Sequence, residues 1–408
     1  MLTFLQDSFV QIKELRPDGH LWDIIRRDDF GARIRNARIL GSLHAYERNP
    51  PIHGNGYLDI QVKDEDGDIN MKQTESKPDP ELQHSEMPPQ LIILYLENLD
   101  VVFLMLRKTD SGRWEFISSR YRCNEEFIRA YQPGIHLTVD PSSRYIAIGP
   151  QEGTFAVLAL HSRKELEKQY AQGKVPCPVQ SEGQFLLTGT IHKMEFLYPS
   201  ASDEDHIILL VLHIYHGRTR MLVYDWMAND DLRRVKKDVG KGHMLAPARQ
   251  IPLLLIPLPI KSSFILISEI SLAVCKDILI GQPKFEEFPV QEDEPTALHH
   301  GLGKPLWTAW TRPYRFPYFK GDQDCIYIVR EDGVIRCLEI HNDDSLIQAE
   351  MNIGHIQSNC GTALASLDYH HHGPRTGDYL ITGGDSGEGA AYLVSPLIRP
   401  RWHHSHCL

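Results

Sequence analysis

Three groups of residues in this 408-residue chain have types and spacings that could do chemistry. Gly384-Asp385-Ser386-Gly387 matches the core of the signature around the nucleophilic serine of chymotrypsin-like proteases. There the glycines shape an oxyanion hole and the hydroxyl needs a histidine base oriented by a buried aspartate. The Gly-Pro that should follow is absent, and no histidine motif stands upstream. A glycine- and Asp-rich turn between two β-rich runs, Asp378–Thr382 and Ala390–Val394, accounts for the same residues, so Ser386 is not expected to be a nucleophile. The second group is histidine-rich: His370-His371-His372, and His403, His404 and His406 with Cys407. Such ligands suit zinc or copper. Successive residues of an extended segment point in alternate directions, however, so a complete shell would need ligands from elsewhere. A solvated loop and a frayed tail over 399–408 need no metal. In the third group Trp307, Trp310, Tyr314 and Phe316 interleave with Arg312 and Arg315, followed by Tyr318, Phe319 and Lys320. Rings stack on bases while cations hold phosphates, as on a single-stranded RNA surface. The same composition suits a connection packing its rings onto a sheet under stacked arginines, or a protein-contact hot spot. These three readings stay open at the level of sequence.

No paired carboxylates, Cys/His dyad, P-loop or GxGxxG after a strand stands out, so no catalytic, cofactor-binding or metal-binding residue is nominated. The net charge of −11 argues against wholesale neutralisation of a phosphate backbone, although Arg233-Arg234-Val235-Lys236-Lys237 is a local basic run. The seven cysteines are scattered without a CxxC pair, which indicates neither a disulfide framework nor a zinc ribbon and fits a reducing compartment. Met1–Leu15 lacks the basic start of a signal peptide. The longest apolar runs, Ile207–Tyr215 and Ile251–Ile260, fall short of the ~20 residues of a membrane helix. A soluble protein without a membrane partner is expected.

The elements that must position these residues are short β-rich runs joined by tight turns. Leu91–Leu96 and Val101–Arg107 flank Glu97-Asn98-Leu99-Asp100, and Trp114–Ser118 follows. His136–Val139, Tyr145–Ile148 and Thr154–Leu160 form a meander. Ile207–Tyr215 and Arg220–Trp226 face each other across His216-Gly217. Phe264–Ser268 with Ser271–Lys276, and Cys325–Arg330 with Val334–Ile340, make further hairpins, and Asp378–Thr382 with Ala390–Val394 the last. Glycine, Asp, Asn and Ser supply the turn conformations. Helical periodicity is confined to Ser162–Ala171, short and charged, expected as a surface insertion. Hairpins without alternating helices argue an all-β fold. Their number over one chain suits a single seven-bladed β-propeller over 1–408, WD40-like in architecture but without the WD signature, since Trp22-Asp23 stands alone. Residues 61–90, acidic and poor in aromatic and β-branched residues, are expected to be a disordered loop. Residues 228–248 are expected to be a basic insertion and 281–323 a connection rich in prolines and aromatics.

In their order these blocks resemble a family of three-propeller scaffold subunits. GIHLTVDPSSRYIAIGPQEGTFAVLAL (Gly134–Leu160) is similar to that family's G-x-x-x-x-DP-x-x-R-x-I block near the N-terminus, and Ile191–Trp226 to its I-x-x-x-x-FLY strand and hairpin. Ile256–Cys275, Leu306–Ile340 and Tyr379–Val394 resemble three further blocks. Departures occur at Lys261-Ser262-Ser263, where the family has glycines, and at Val329-Arg330, where it has Gly-Asp. The family includes the large subunit of the damaged-DNA-binding complex, the A subunit of the cleavage and polyadenylation specificity factor and its splicing-factor counterpart. The matching region is also known as the methyl-methanesulfonate-sensitivity N-terminal domain. Its members run on into second and third propellers, so this chain is expected to hold one propeller only, short of about one opening strand.

The resemblance implies a non-enzymatic, nuclear protein-interaction scaffold in mRNA 3′-end processing, splicing, or DNA repair and ubiquitin-ligase assembly. Its partners would be other subunits of a multi-subunit complex, with RNA or DNA reached indirectly and no cofactor. A propeller hydrolase or lyase with a channel site and a direct RNA-binding module are the alternatives. The residues put forward for partner or RNA contact are Trp307, Trp310, Arg312, Tyr314, Arg315 and Phe316.

Overall fold

The computed structural model describes residues 2–16, 21–41, 87–123, 134–150, 152–200, 202–232, 241–244, 251–259, 262–269, 271–276, 278–279, 283–289, 305–312, 323–343, 346–354, 363–370, 376–383, 389–394 and 402–407. Nearly all of its regular structure is antiparallel strand. β1 (Leu2–Gln6), β2 (Phe9–Leu15) and β3 (Leu21–Arg27) form a three-stranded sheet. β4 (Ile34–Leu40), β5 (Leu91–Leu96), β6 (Asp100–Lys108) and β7 (Trp114–Arg122) form the next.

A seven-stranded sheet follows, made of β8 (Gly134–Val139), β9 (Tyr145–Pro150), β10 (Glu152–Leu160), β11 (Val179–Leu197), β12 (His206–Tyr215), β13 (Arg218–Met227) and β14 (Lys241–Met244). Then come three four-stranded sheets. β15 (Leu254–Pro257), β16 (Phe264–Ile267), β17 (Ser271–Lys276) and β18 (Lys284–Pro289) form one. β19 (Trp307–Thr311), β20 (Gln323–Arg330), β21 (Ile335–Asp343) and β22 (Leu346–Gly354) form another. β23 (Ala363–His370), β24 (Thr376–Gly383), β25 (Gly389–Val394) and β26 (Trp402–Cys407) form the last.

The 19-residue β11 serves two four-stranded units. Val179 to Thr190 pair with β10, and Thr190 to Leu197 pair with β12. The chain turns from one unit to the other at Gly189, whose φ of +107° is open to glycine and strained for other residues.

Consecutive sheets stack face to face, and the side-chain pattern says why. A strand covered on both faces has no polar side, so its sequence is an unbroken apolar run. In β5, Leu91, Ile93 and Tyr95 join a layer with Leu137, Ile146 and Ile148, while Leu94 and Leu96 join a layer with Val10 and Ile12. In β12, Ile207, Leu209 and Val211 face Phe155 and Phe185, whereas Ile208, Leu210 and Leu212 face Leu255 and Phe264. β16 sends Ile265 and Ile267 towards Ile326 and Ile328 of β20, whose Tyr327 and Val329 face Leu380. Strand periodicity alone thus feeds two layers from each central strand. The first strands of successive sheets are neighbours, β4 beside β8, β8 beside the second half of β11, β11 beside β15, β15 beside β19 and β19 beside β23. That is the arrangement of a β-propeller.

The expected hairpins fall where the turn residues placed them. Tyr215 pairs with Arg218 across His216 and Gly217, both at positive φ as a two-residue type I′ turn requires.

Five expectations need correction. The helix α1 (Arg163–Ala171) is not a mere surface insertion, because Leu166 and Tyr170 are buried in the layer between the second and third units. Met87, inside the segment read as a disordered loop over 61–90, is buried in the same layer. Arg163 donates to the Met87 and Pro88 carbonyls at 2.6 and 2.5 Å, so that boundary ran too far; residues 61–86 lie outside the described residues. The regions 228–248 and 281–323 contain blade strands, β14 in the first and β18 and β19 in the second. The tail expected to fray contains β26, which pairs along β25. The strands among these were missed because edge and inner strands carry mixed polar sequences, unlike the apolar central strands.

Candidate interaction surface

The aromatic and basic stretch that begins at Trp307 is an inner strand. Trp307 is only 4% exposed and packs among Ile256, Ile265 and Leu338. The guanidinium groups of Arg330 and Arg336 lie 5.8 and 5.6 Å from its ring centroid. Arg330 in turn makes a bidentate pair with Asp332, at 2.7 and 2.6 Å, in the turn that Gly333 closes. The arginine that departs from the family's Gly-Asp is therefore matched locally, and its planar fork suits that carboxylate. Trp310 packs against the same layer, and Arg312 sits 5.2 Å from its ring and 5.6 Å from Tyr198 while donating to the Pro257 carbonyl. Trp307 is thus corrected from a contact residue to a core residue, since a ring covered on both faces cannot stack on a base. Trp310 and Arg312 join adjacent sheets. Tyr314, Arg315 and Phe316 lie outside the described residues, as do Arg233–Lys237 and Gly384–Gly387 with Ser386.

The Asp140-Pro141-Ser142-Ser143-Arg144 motif has a packing explanation too. Asp140 is buried, and burial pushes its carboxyl upward against the pull of Arg144. Its carbonyl accepts from the Ser143 amide at 2.7 Å and its carboxylate from the Arg144 amide at 3.2 Å, which closes the turn with Ser143 at φ +59°. The Arg144 guanidinium then reaches the next unit, bonding the Asp205 carboxylate at 3.2 Å and the Glu204 carbonyl at 2.8 Å. Tyr145 adds a hydroxyl bond to the Ala228 carbonyl at 2.7 Å. The motif clamps one unit to the next.

Where the inner strands begin, a series of side chain to backbone bonds ties neighbours together. Asn36 of β4 donates to the Ile135 carbonyl of β8 at 3.0 Å. His136, with the proton on Nε2, bonds the Ile191 carbonyl of β11 at 3.1 Å, and His192 bonds the Pro252 carbonyl just before β15. Between these links Glu195 accepts from Thr138 at 2.6 Å and faces Arg38 at 3.5 Å. Burial raises the Glu195 carboxyl and lowers the Lys193 ammonium and the His192 imidazole. His136 is lowered to about 4, again chiefly by burial.

At this same end three large apolar side chains are exposed: Ile135 by 36%, Ile251 by 53% and Leu306 by 38%. Ile135 is the second residue of β8, Ile251 lies three residues before β15 and Leu306 lies immediately before β19. Scattered exposed apolar residues need no explanation, but three near the leading ends of inner strands make a candidate contact surface. No signal in the sequence singled them out: Ile135 adjoins a recognised strand, and Ile251 and Leu306 precede inner strands that were not recognised.

Among the described residues there is no group of three or more His, Cys, Asp or Glu side chains placed to hold a metal ion. The backbones of His370 and of His403, His404, His406 and Cys407 are in β23 and β26, while His371 and His372 lie outside the described residues. No helix among the described residues is long and apolar enough to cross a membrane.

The class these features define is a propeller whose charged and aromatic motifs hold blade to blade. Residues 2–401 match the family model described as the RSE1/DDB1/CPSF1 first beta-propeller, and the chain belongs to that family. No curated protein sequence matches it.

Proposed function

We propose that this chain is a seven-bladed, non-enzymatic scaffold that holds other subunits of a nuclear complex acting in mRNA 3′-end processing, splicing, or DNA repair and ubiquitin-ligase assembly. The observation that carries this reading is the family match over residues 2–401. Dividing the seven-stranded sheet at Gly189, where β11 leaves β10 for β12, supports the count of seven. A propeller's rigid faces and projecting loops suit docking, and the absorption of Trp307, Asp140 and Arg144 into packing favours a frame over a reaction centre. The mouth bearing Ile135, Ile251 and Leu306 is the face we assign to a partner subunit, with RNA or DNA reached through that partner. Affinity purification of the tagged chain from nuclear extract, read by mass spectrometry, tests this. Stoichiometric recovery of cullin-type or mRNA-processing subunits supports the scaffold. Recovery of a monomer with hydrolase or lyase activity overturns it.

A further inference from the structure

The links at the start of the inner strands place two histidines and a buried carboxylate in one cluster of charges. His136 and His192 each bridge to the backbone of the next unit, and Lys193 directly follows His192 in the chain. Arg38 of β4 and Thr138 of β8 face Glu195 from their own strands. We propose that this cluster is a proton-operated latch: acidification loosens the contacts of β8, β11 and β15 at one mouth of the propeller while the apolar central strands stay closed.

The argument is one of charge in a confined place. With both imidazoles neutral, Glu195 faces the two cations Arg38 and Lys193. Protonating His136 or His192 puts another positive charge beside Lys193, which already opposes the charged form of both rings. Glu195 works the other way: burial raises its carboxyl, so its protonation in acid favours the closed form and offsets part of the histidine effect, although it also removes the anion that faces Arg38. Every protonation therefore makes the cluster more positive, and none adds a compensating anion. Strand opening returns the rings to water and to an ordinary value of 6.5. The latch is thus fully closed above that value and loses stability as pH falls from it towards about 4, the value held by His136 in the closed form. Each depressed histidine changes the opening equilibrium by up to about tenfold per pH unit in that window.

Amide hydrogen exchange of the whole chain, corrected for the intrinsic pH dependence of exchange, provides the test. Between pH 7 and pH 5.5 we expect protection in β8, the second half of β11 and β15 to fall by about tenfold or more, with β5 and β16 unchanged. In the double variant His136→Gln/His192→Gln the amide side chains still donate to the two carbonyls but cannot be protonated, and the response should flatten. A double variant that keeps the full response, or a wild type without one, overturns the latch. If the double variant does not fold, ring resonances of labelled histidine in the wild type decide. Two rings titrating near 6.5 without loss of strand protection refute it, and titration coincident with strand opening supports it.

Discussion

A Cβ built on Gly189 would stand 2.4 Å from the carbonyl oxygen of Ile214, the residue opposite Thr190 in the β11–β12 ladder. The same place is crowded by His213, whose Nδ1 donates to the Thr188 carbonyl at 2.9 Å. The long strand can pass from one unit to the next only because the backbone here carries no side chain. Gly189→Ala therefore meets both a positive φ and a backbone atom that cannot move aside. We expect a loss of at least about 2 kcal/mol, seen as a lower denaturant midpoint. Gly217, with open space around its Cβ position, is the control, and Gly217→Ala should cost about 1 kcal/mol or less. Equal effects at the two sites would remove the special role of Gly189.

The clamp at Arg144 gives a prediction with a pH signature. Arg144→Ala leaves Asp140 buried without its cation, a change worth about 3 kcal/mol at neutral pH. The carboxyl is already raised by burial, and losing Arg144 raises it further. An acid raised on folding destabilises the fold in its charged form, so its penalty grows as pH rises above the unfolded value. The deficit of Arg144→Ala should then be large at pH 7 and shrink as pH falls, vanishing only below the ordinary value of 3.8, where Asp140 is protonated in both states. Asp140→Asn introduced into that variant should recover part of the loss at pH 7. A deficit independent of pH would mean that the clamp works by packing alone.

Trp307 separates core from contact. Truncation to Ala should cost about 3–5 kcal/mol, as for other fully buried aromatic residues, and should lower the thermal midpoint before it changes any partner or RNA affinity. A variant of unaltered stability that had lost RNA binding would restore the stacking surface.

The strands visible in the sequence were those buried on both sides. Leu91–Leu96, Ile207–Tyr215 and Phe264–Ile267 are continuous apolar runs because each feeds two packing layers, and tight turns such as His216-Gly217 marked their ends. What stayed hidden were strands with a polar edge. β11 mixes Gln180, Glu182, Lys193 and Glu195 into its pattern, and β19 reads as an aromatic and basic binding motif. Both are inner or shared strands whose polar groups answer one another across sheets, information that lies in tertiary neighbours and not in local period. The same holds for the mouth of the propeller, since Ile135, Ile251 and Leu306 belong to one end of the fold only through the succession of inner strands.

Met87 is where the packed core resumes among the described residues. Removing residues 61–84, acidic and poor in apolar groups, should leave the thermal midpoint nearly unchanged. Met87→Ala, by contrast, opens a hole beside Leu91 and Tyr170 and should cost about 2–5 kcal/mol. Calorimetry on the two proteins separates them, and a deletion as damaging as the point change would show that the acidic segment contributes to packing.

The last prediction concerns the exposed mouth. Ile251 lies beside Pro252, whose carbonyl is held by His192, and Ile135 offers its own carbonyl to Asn36. The backbone bonds are made by Pro252 and Ile135, while the side chains of Ile251 and Ile135 remain 53% and 36% exposed. A change confined to the side chain should therefore spare the fold, at about 0.5 kcal/mol for an exposed position. Burying the same side chain against a partner would contribute about 1.5–3 kcal/mol, and a carboxylate there would add a desolvation cost. Ile135→Asp/Ile251→Asp should thus keep the thermal midpoint and lose co-purifying subunits at least tenfold, with Trp22→Asp on the first sheet as the exposed control that loses none. Undiminished recovery of subunits by the double variant would move the docking face elsewhere on the propeller.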